Sequence, residues 1–98
     1  TLADLATELA LVERWIDYVA DLVDGGAPDF GLEASLAKLK ASDLAMRITT
    51  ECVQFHGGYG YCQDYRAERL MRDAKITQIW EGTNQVHRQL IGRSFVTK

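Results

Sequence analysis

The chain has 98 residues, 47% of them hydrophobic, and a formal net charge of -3 at neutral pH. This length predicts a single small domain, since domains typically contain about 100 to 200 residues. An acidic balance without a basic cluster argues against a nucleic-acid partner, whose phosphates require a basic face. No apolar run approaches the roughly 20 residues that span a bilayer, and no cleavable signal pattern opens the chain, so we expect no membrane span.

The first part of the chain has the pattern of one long amphipathic helix. Apolar residues recur at alternating steps of three and four from Leu2 to Val23, while acidic side chains occupy other faces. Gly25 and Gly26 predict its end. The heptad spacing of this apolar seam is typical of near-parallel packing in a helical bundle. Because the chain opens on Thr1 without an obvious cap, we expect it to be part of a longer protein.

Three further helices are predicted after this break. A second long helix begins near Leu32 and ends at Gly57-Gly58. A third, shorter helix follows a cap at Asp64, and its dense charge predicts that it faces something other than the core. A fourth helix, capped by Gly82 or Thr83, has apolar residues spread around its circumference. No segment has the alternation of a strand, so we predict an all-α, up-down bundle of four helices, two long and two shorter.

Residues 54–61, with the sequence QFHGGYGY, join a helix end to a glycine-rich segment. Glycine permits positive φ and lets another group approach the backbone closely. Gly57-Gly58 therefore has two interpretations. It is a helix C-cap, or it is a place where a polar ligand meets the backbone, the side chain of Gln54 and the neighbouring tyrosines.

Glu81 lies at the next break, within the sequence IWEGTNQ of residues 79–85. An acidic residue ahead of a helix is stabilised by the helix dipole, by about 0.3 to 1 kcal/mol, which gives Glu81 a purely structural interpretation. Yet Ile79 and Trp80 precede it, and an apolar neighbourhood disfavours the charged form of a carboxylate, as suits a general base. The residues alone leave both interpretations open.

Cysteine and histidine positions give no metal site. Cys52 and His56 have the spacing of two ligands on a helix, but a third and fourth ligand are not evident in the sequence. Cys52 and Cys62 lack the CxxC spacing of redox or zinc sites, which favours two reduced thiols in a cytosolic or matrix compartment. His87 and Arg88 are expected on a helix surface or at an interface.

Residues 54–61, 72–76 and 79–85, in this order and spacing, resemble the C-terminal region of the acyl-CoA dehydrogenases. The similarity includes residues 2–7 and 34–39 and so spans nearly the whole chain. It implies that the chain, from first residue to last, is the C-terminal helical domain of a short- or medium-chain-like member. Such a piece lacks the N-terminal helical domain and the middle β domain, so we expect it to be inactive alone.

The resemblance also implies a reaction and its residues. Glu81 would remove the α proton of an acyl-CoA while FAD accepts the β hydrogen as hydride, giving a trans-2-enoyl-CoA. The N–H of Glu81 would bind the thioester oxygen, and Glu81 and Gly82 would contact the substrate. The implied FAD-binding residues are Gln54, Gly57, Gly58, Thr83 and Gln85. The first three of these would act from an adjacent subunit.

The same resemblance implies the partners of the full-length protein and leaves two alternative functions to be distinguished. An electron-transfer flavoprotein would reoxidise the flavin, the full-length protein would be a homo-oligomer, tetramer or dimer, and its compartment would be a bacterial cytoplasm or the mitochondrial matrix. One rival is an acyl-CoA oxidase of related fold, which releases hydrogen peroxide. Another is a noncatalytic helical interaction module, in which Glu81 is a cap and Gly57-Gly58 a turn. Cys62, Gln63 and His87 differ from the commonest pattern of the family.

Overall fold

The computed structural model describes residues 1–96, and this part of the chain folds into four α-helices. A short 3₁₀ turn follows the second helix, and residues 1–96 contain no strand. The predicted all-α fold, with two long and two shorter helices, is confirmed. The elements are α1 (Leu2–Asp24), α2 (Gly31–His56), the 3₁₀ turn (Gly57–Tyr61), α3 (Arg66–Thr77) and α4 (Asn84–Val96).

Helix α2 is the centre of the bundle, because α1, α3 and α4 all pack against it. Leu5 and Val12 of α1 are buried against Leu44 of α2, with Ala41 and Ile48 beside them. The predicted seam of α1 is only partly covered by this contact. At least two fifths of the surface of four other seam residues is exposed, namely Leu2, Leu9, Ile16 and Val23.

Helix α3 packs on α2 through small residues. Ala67 and Ala74 are buried, and their size allows the two helices to approach closely. Glu68 is buried beside them and forms an ion pair at 2.6 Å with Arg72, whose side chain is exposed. We expected α3 to face something other than the core because it is highly charged. This expectation is wrong for the face of α3 that carries Ala67 and Ala74.

The capping predictions have different outcomes for α3 and α4. Asp64 does not cap α3, because it lies inside a turn that the N–H of Tyr65 closes on the carbonyl of Cys62 at 3.2 Å, and the helix begins at Arg66. Thr83 does cap α4, since its hydroxyl accepts a hydrogen bond from the N–H of Val86 at 3.3 Å.

Gly60 is buried where the 3₁₀ turn folds back onto the end of α2. A Cβ added there would lie 2.6 Å from the carbonyl oxygen of Val53 and 2.7 Å from the Cβ of His56. We expect Gly60→Ala to destabilise the protein by about 1 to 3 kcal/mol, because backbone must move to relieve the clash. Gly58→Ala is the matched control, since no atom lies within 4 Å of its added Cβ. Unfolding midpoints of the two variants provide the check, and equal midpoints would contradict the prediction.

No helix within residues 1–96 combines the length and apolar character needed to cross a bilayer.

Candidate functional site

The turn between α3 and α4 holds Glu81 in the left-handed region of backbone conformation. Its φ is 56°, and that of Gly82 is 83°. Glu81 is the only non-glycine residue with positive φ in residues 1–96. This conformation costs a residue with a side chain roughly 1 to 2 kcal/mol, so surrounding contacts must hold it. Strain of this kind concentrates at functional sites.

Asn84, directly after this turn, anchors it to α2. Asn84 is 3% exposed, and its Nδ2 donates to Ser42 Oγ at 2.9 Å and to Asp43 Oδ1 at 2.6 Å. Its Oδ1 accepts from Lys38 Nζ at 2.5 Å, while its N–H donates to the carbonyl of Gln78 at 3.0 Å. Side-chain and backbone bonds from one buried residue therefore fix where the turn sits on the bundle.

The two carbonyl groups of the turn are each bonded to a side chain. Lys38 Nζ donates to the carbonyl of Gly82 at 2.9 Å. His87 Nε2 lies 3.0 Å from the carbonyl oxygen of Glu81, and its Nδ1 lies 3.2 Å from Ser35 Oγ. A carbonyl oxygen can only accept, so Nε2 carries the proton of this bond.

Glu81 lines a cavity of about 350 Å³ between α2 and the end of α3. Trp80 also lines it, together with small residues of α2. Half or more of the surface of Trp80 and Ile79 is exposed, and Glu81 is exposed as well. The predicted apolar neighbours are thus present beside the carboxylate, but within residues 1–96 they do not shield it from water.

Thr83 and Gln85 line a second cavity, of about 580 Å³, beside the start of α4. Three cationic side chains also line it, Arg47, Lys75 and Arg88. Side-chain donors and the first N–H groups of a helix are suited to polar and anionic ligand groups. Two of the predicted cofactor residues therefore share one cavity with cationic side chains, and the carboxylates of Asp43 and Glu51 line it too.

Asp43 is the acidic centre of this cavity wall. Partial burial raises its pKa, but hydrogen bonds from Gln78 at 2.9 Å and from Asn84, with the Arg88 guanidinium at 2.6 Å, outweigh that effect. The pKa of Asp43 is therefore held below its ordinary value of 3.8. The carboxylate is charged at neutral pH and ties α3 and α4 to α2.

We expect this lowered pKa of Asp43 to appear as acid sensitivity. Stability contributed by a carboxylate with a lowered folded pKa is fully present above the unfolded value of 3.8, and is lost as the pH falls through the folded pKa. Unfolding midpoints measured from neutral to acidic pH should fall less steeply below that value in Asp43→Asn than in the parent. The exposed Asp64→Asn is the control, and an identical slope in the parent and Asp43→Asn would contradict the expectation.

The remaining predicted cofactor residues lie at the far end of α2. Gln54 is exposed eleven residues beyond Asp43, roughly 16 Å along the helix axis. Gly57 ends α2 with a φ of 66°, and a Cβ added to Gly57 or Gly58 would meet no atom within 4 Å. Gly57-Gly58 is thus a helix C-cap whose backbone is open to an approaching group, so its two interpretations are compatible.

The cysteine and histidine residues near this helix end form a local contact only. Cys52 Sγ lies 3.9 Å from His56 Nδ1, which is bonded to the carbonyl of Cys52 at 2.8 Å. Both Cys52 and Cys62 are free. Within the described residues 1–96, no group of three or more histidine, cysteine, aspartate or glutamate side chains is placed to hold a metal ion.

Comparison with known proteins decides the family. The family described as "Acyl-CoA dehydrogenase, C-terminal domain" matches residues 1–96. The chain belongs to the acyl-CoA dehydrogenase family. Cyclohexane-1-carbonyl-CoA dehydrogenase of Geobacter metallireducens is 50% identical to this acyl-CoA dehydrogenase domain over 95 residues, which are 97% of the chain and 25% of the relative.

Two solved structures share the fold of the acyl-CoA dehydrogenase domain. Butyryl-CoA dehydrogenase from Megasphaera elsdenii has a TM-score of 0.91 and 45% identity, covering 97% of this chain and 24% of its own. A structure of the electron transferring flavoprotein of Acidaminococcus fermentans has a TM-score of 0.92 and 48% identity, covering 98% and 25%. The chain therefore spans about a quarter of the length of the proteins it matches.

Three residues that hold the Glu81 turn of this acyl-CoA dehydrogenase domain were not predicted from the sequence as site residues: Lys38, Asn84 and His87. His87, expected on a surface or interface, is half-buried against the turn. Lys38 and Ser42 did offer a signal, because they stand one turn apart on an otherwise alanine-rich face of α2. Polar residues on such a face must find a partner, and Asn84 is that partner.

Proposed function

We propose that the full-length protein is an FAD-dependent acyl-CoA dehydrogenase, and that this domain contributes its catalytic base, Glu81. Family membership supports the reaction class. The choice of residue rests on one observation, the strained turn at Glu81 that carries a carboxylate beside a cavity. A turn needed only to join two helices gains nothing from holding a glutamate at positive φ.

The proton step needs a base and a donor, and Glu81 offers both. An α C–H beside a thioester is weakly acidic, so its removal requires a placed base and stabilisation of the developing enolate oxygen. Within residues 1–96, the carboxylate of Glu81 forms no ion pair or hydrogen bond, and its N–H has no acceptor. The carboxylate accepts the α proton while the N–H binds the thioester oxygen, leading to a trans-2-enoyl-CoA.

Bound FAD would supply the acceptor for the β hydrogen, which leaves as hydride. On this chain, Thr83 and Gln85 would bind it from the cavity at the start of α4. Gln54 with Gly57-Gly58 would bind the FAD of an adjacent subunit, since they lie too far along α2 to reach the same cavity. The open backbone at these glycines and the donors around Thr83 both fit a dinucleotide.

Flavin reduction in the full-length protein tests this function. Anaerobic addition of an acyl-CoA should bleach the oxidised flavin, and a series of graded chain length should identify the preferred substrate. Reoxidation by an electron-transfer flavoprotein without peroxide supports a dehydrogenase, whereas peroxide release in air indicates an oxidase. Absence of bound flavin, or flavin that no acyl-CoA reduces, would contradict the proposal and favour a noncatalytic module.

Gly58→Ala tests the cofactor role of the α2 end. Because the added methyl group meets no atom of its own chain, we expect unchanged folding but weaker FAD binding, by about tenfold or more if a flavin phosphate approaches this backbone. FAD titration of the deflavinated full-length protein measures the effect. Exposed Gly92→Ala on α4, which also has open space at its Cβ, is the control. Equal FAD affinity in both variants would exclude Gly58 from the site.

Oligomerisation and location complete the proposal. On α1, Leu2 and Leu9 of the half-covered seam are exposed, as is Leu11, and exposed apolar surface of this kind marks contacts with other domains or subunits. We therefore propose a homo-oligomer in which neighbouring subunits complete each flavin site, and an electron-transfer flavoprotein as redox partner.

The bacterial sources of the matched proteins favour a bacterial cytoplasm as the location of the full-length protein. By itself the chain should not reduce flavin, because Glu81 is uncovered.

A further inference from the structure

We propose that His87 is a positioning residue for Glu81, holding the main chain of the base through a hydrogen bond to its carbonyl group, with Ser35 fixing the ring. This inference rests on the proposed role of Glu81. His87 comes from the second turn of α4 and Ser35 from α2, so the pair joins the catalytic turn to two helices.

In the neutral imidazole, one tautomer satisfies both hydrogen bonds of the ring. Nε2 must donate to the carbonyl of Glu81 at 3.0 Å, since that oxygen can only accept. Ser35 Oγ, 3.2 Å from Nδ1, can then donate its hydroxyl proton to the unprotonated nitrogen. Ser35 is 8% exposed, and its hydroxyl has no other partner within residues 1–96. A buried hydroxyl therefore fixes the orientation of the ring that holds the turn.

His87 also occupies the space above Gly82. A Cβ added to Gly82 would lie 3.1 Å from His87 Nε2, so the ring packs directly on the peptide after Glu81. Lys38 binds the next carbonyl, that of Gly82, at 2.9 Å. The peptide plane that follows Glu81 is thus held by His87, and the one after it by Lys38. Rotation of either plane would displace the carboxylate.

The functional consequence lies in the placement of the carboxylate. Glu81 adopts a strained φ of 56°, which relaxes readily if its carbonyl loses its partner. A displacement of about 1 Å at a catalytic group can reduce the rate about 10²-fold. The bond from His87 should therefore matter mainly for the rate of proton abstraction, and little for the binding of acyl-CoA or FAD.

Two substitutions at position 87 separate positioning from general support of the fold. In the FAD-loaded full-length protein, we expect His87→Leu to lower the limiting rate of flavin reduction by about 10- to 100-fold, with acyl-CoA affinity nearly unchanged. His87→Gln should restore most of the rate, because its amide N–H can replace Nε2–H as the donor. Gln89→Leu, an exposed change on the same helix, is the matched control.

Hydrogen–deuterium exchange gives a readout that does not depend on activity. In the parent, the N–H of Trp80 is bonded to the carbonyl of Ile76 and that of Asn84 to the carbonyl of Gln78. His87→Leu should accelerate exchange in the peptide covering residues 78–86, and His87→Gln should not. If His87→Leu fails to fold, Ser35→Ala provides the same comparison, with a smaller expected loss of rate of about threefold to tenfold.

The outcomes distinguish this inference from the proposed function. If acyl-CoA reduces the parent flavin and His87→Leu reduces it as fast as His87→Gln and the parent, the positioning role is wrong and the function stands. If the parent flavin is not reduced, the function fails, and unchanged exchange in His87→Leu would overturn the inference independently. Slower reduction and faster exchange in His87→Leu, both restored by His87→Gln, support it.

Discussion

Glu81→Gln is expected to slow reduction of the flavin by acyl-CoA by about 10²- to 10⁴-fold, the usual contribution of a general base. Glutamine has nearly the size of glutamate and keeps the backbone N–H that is proposed to bind the thioester oxygen, but its amide cannot accept the α proton. Bound FAD and affinity for acyl-CoA should therefore remain close to those of the parent. The expected loss falls on the chemical step alone.

Stopped-flow absorbance under anaerobic conditions measures the Glu81→Gln effect directly. Glu13→Gln, on the exposed face of α1, is the matched control because it makes the same chemical change away from the turn. Glu81→Asp should retain a base that is one methylene too short, and we expect a loss of at most about 10²-fold, smaller than that of Glu81→Gln. A Glu81→Gln enzyme that reduces its flavin at near the parental rate would remove Glu81 from the role of base.

Helix ends were predicted well where glycine determines them. The observed ends of α1 at Asp24 and of α2 at His56 each precede a glycine that the sequence identifies. Asp64 failed as a cap because the choice between a turn and a first helical residue depends on one backbone bond, that between Tyr65 and Cys62. Such a bond is set by how the 3₁₀ turn packs on α2, which residue type alone does not determine.

The candidate site was predicted from the sequence only where its residues are neighbours in the chain. Glu81, Gly82 and Thr83 form one contiguous segment, so a single motif contains them. Lys38 and Ser35 lie more than forty residues away and meet this segment only after α2 and α4 have packed. A periodic pattern predicts which face of a helix is covered, but not which polar atom on one helix faces which atom on another.

The exposure of Glu81 also has a physical explanation in the architecture. The bundle fixes the backbone of the turn through buried contacts of Asn84, yet it leaves Trp80 and the carboxylate on the surface. The turn thus has a fixed backbone, while the side chain of Glu81 remains open to solvent. If Glu81 is the proposed base, an apolar cover would exclude water from the proton transfer, and the exposed Trp80 and Ile79 are suited to contact it.

Asn84→Ala is expected to destabilise the protein by about 2 to 4 kcal/mol, because it removes four hydrogen bonds of a buried side chain and leaves Lys38 and Asp43 each with one partner fewer. Lys38 loses the acceptor at 2.5 Å and Asp43 loses the donor at 2.6 Å. The turn at Glu81 should loosen at the same time. Chemical denaturation followed by circular dichroism measures the change, with exposed Gln89→Ala as the control.

A double-mutant cycle tests whether the effect of Asn84→Ala arises from this network or from lost volume. Lys38→Met keeps the length of the side chain and removes its charge, so it should be destabilising alone. Combined with Asn84→Ala, it should cost less than the sum of the two single changes, by about 0.5 to 3 kcal/mol, since both changes remove the same bond. Strict additivity would mean that Lys38 and Asn84 stabilise the domain independently, and that the turn is not held by their contact.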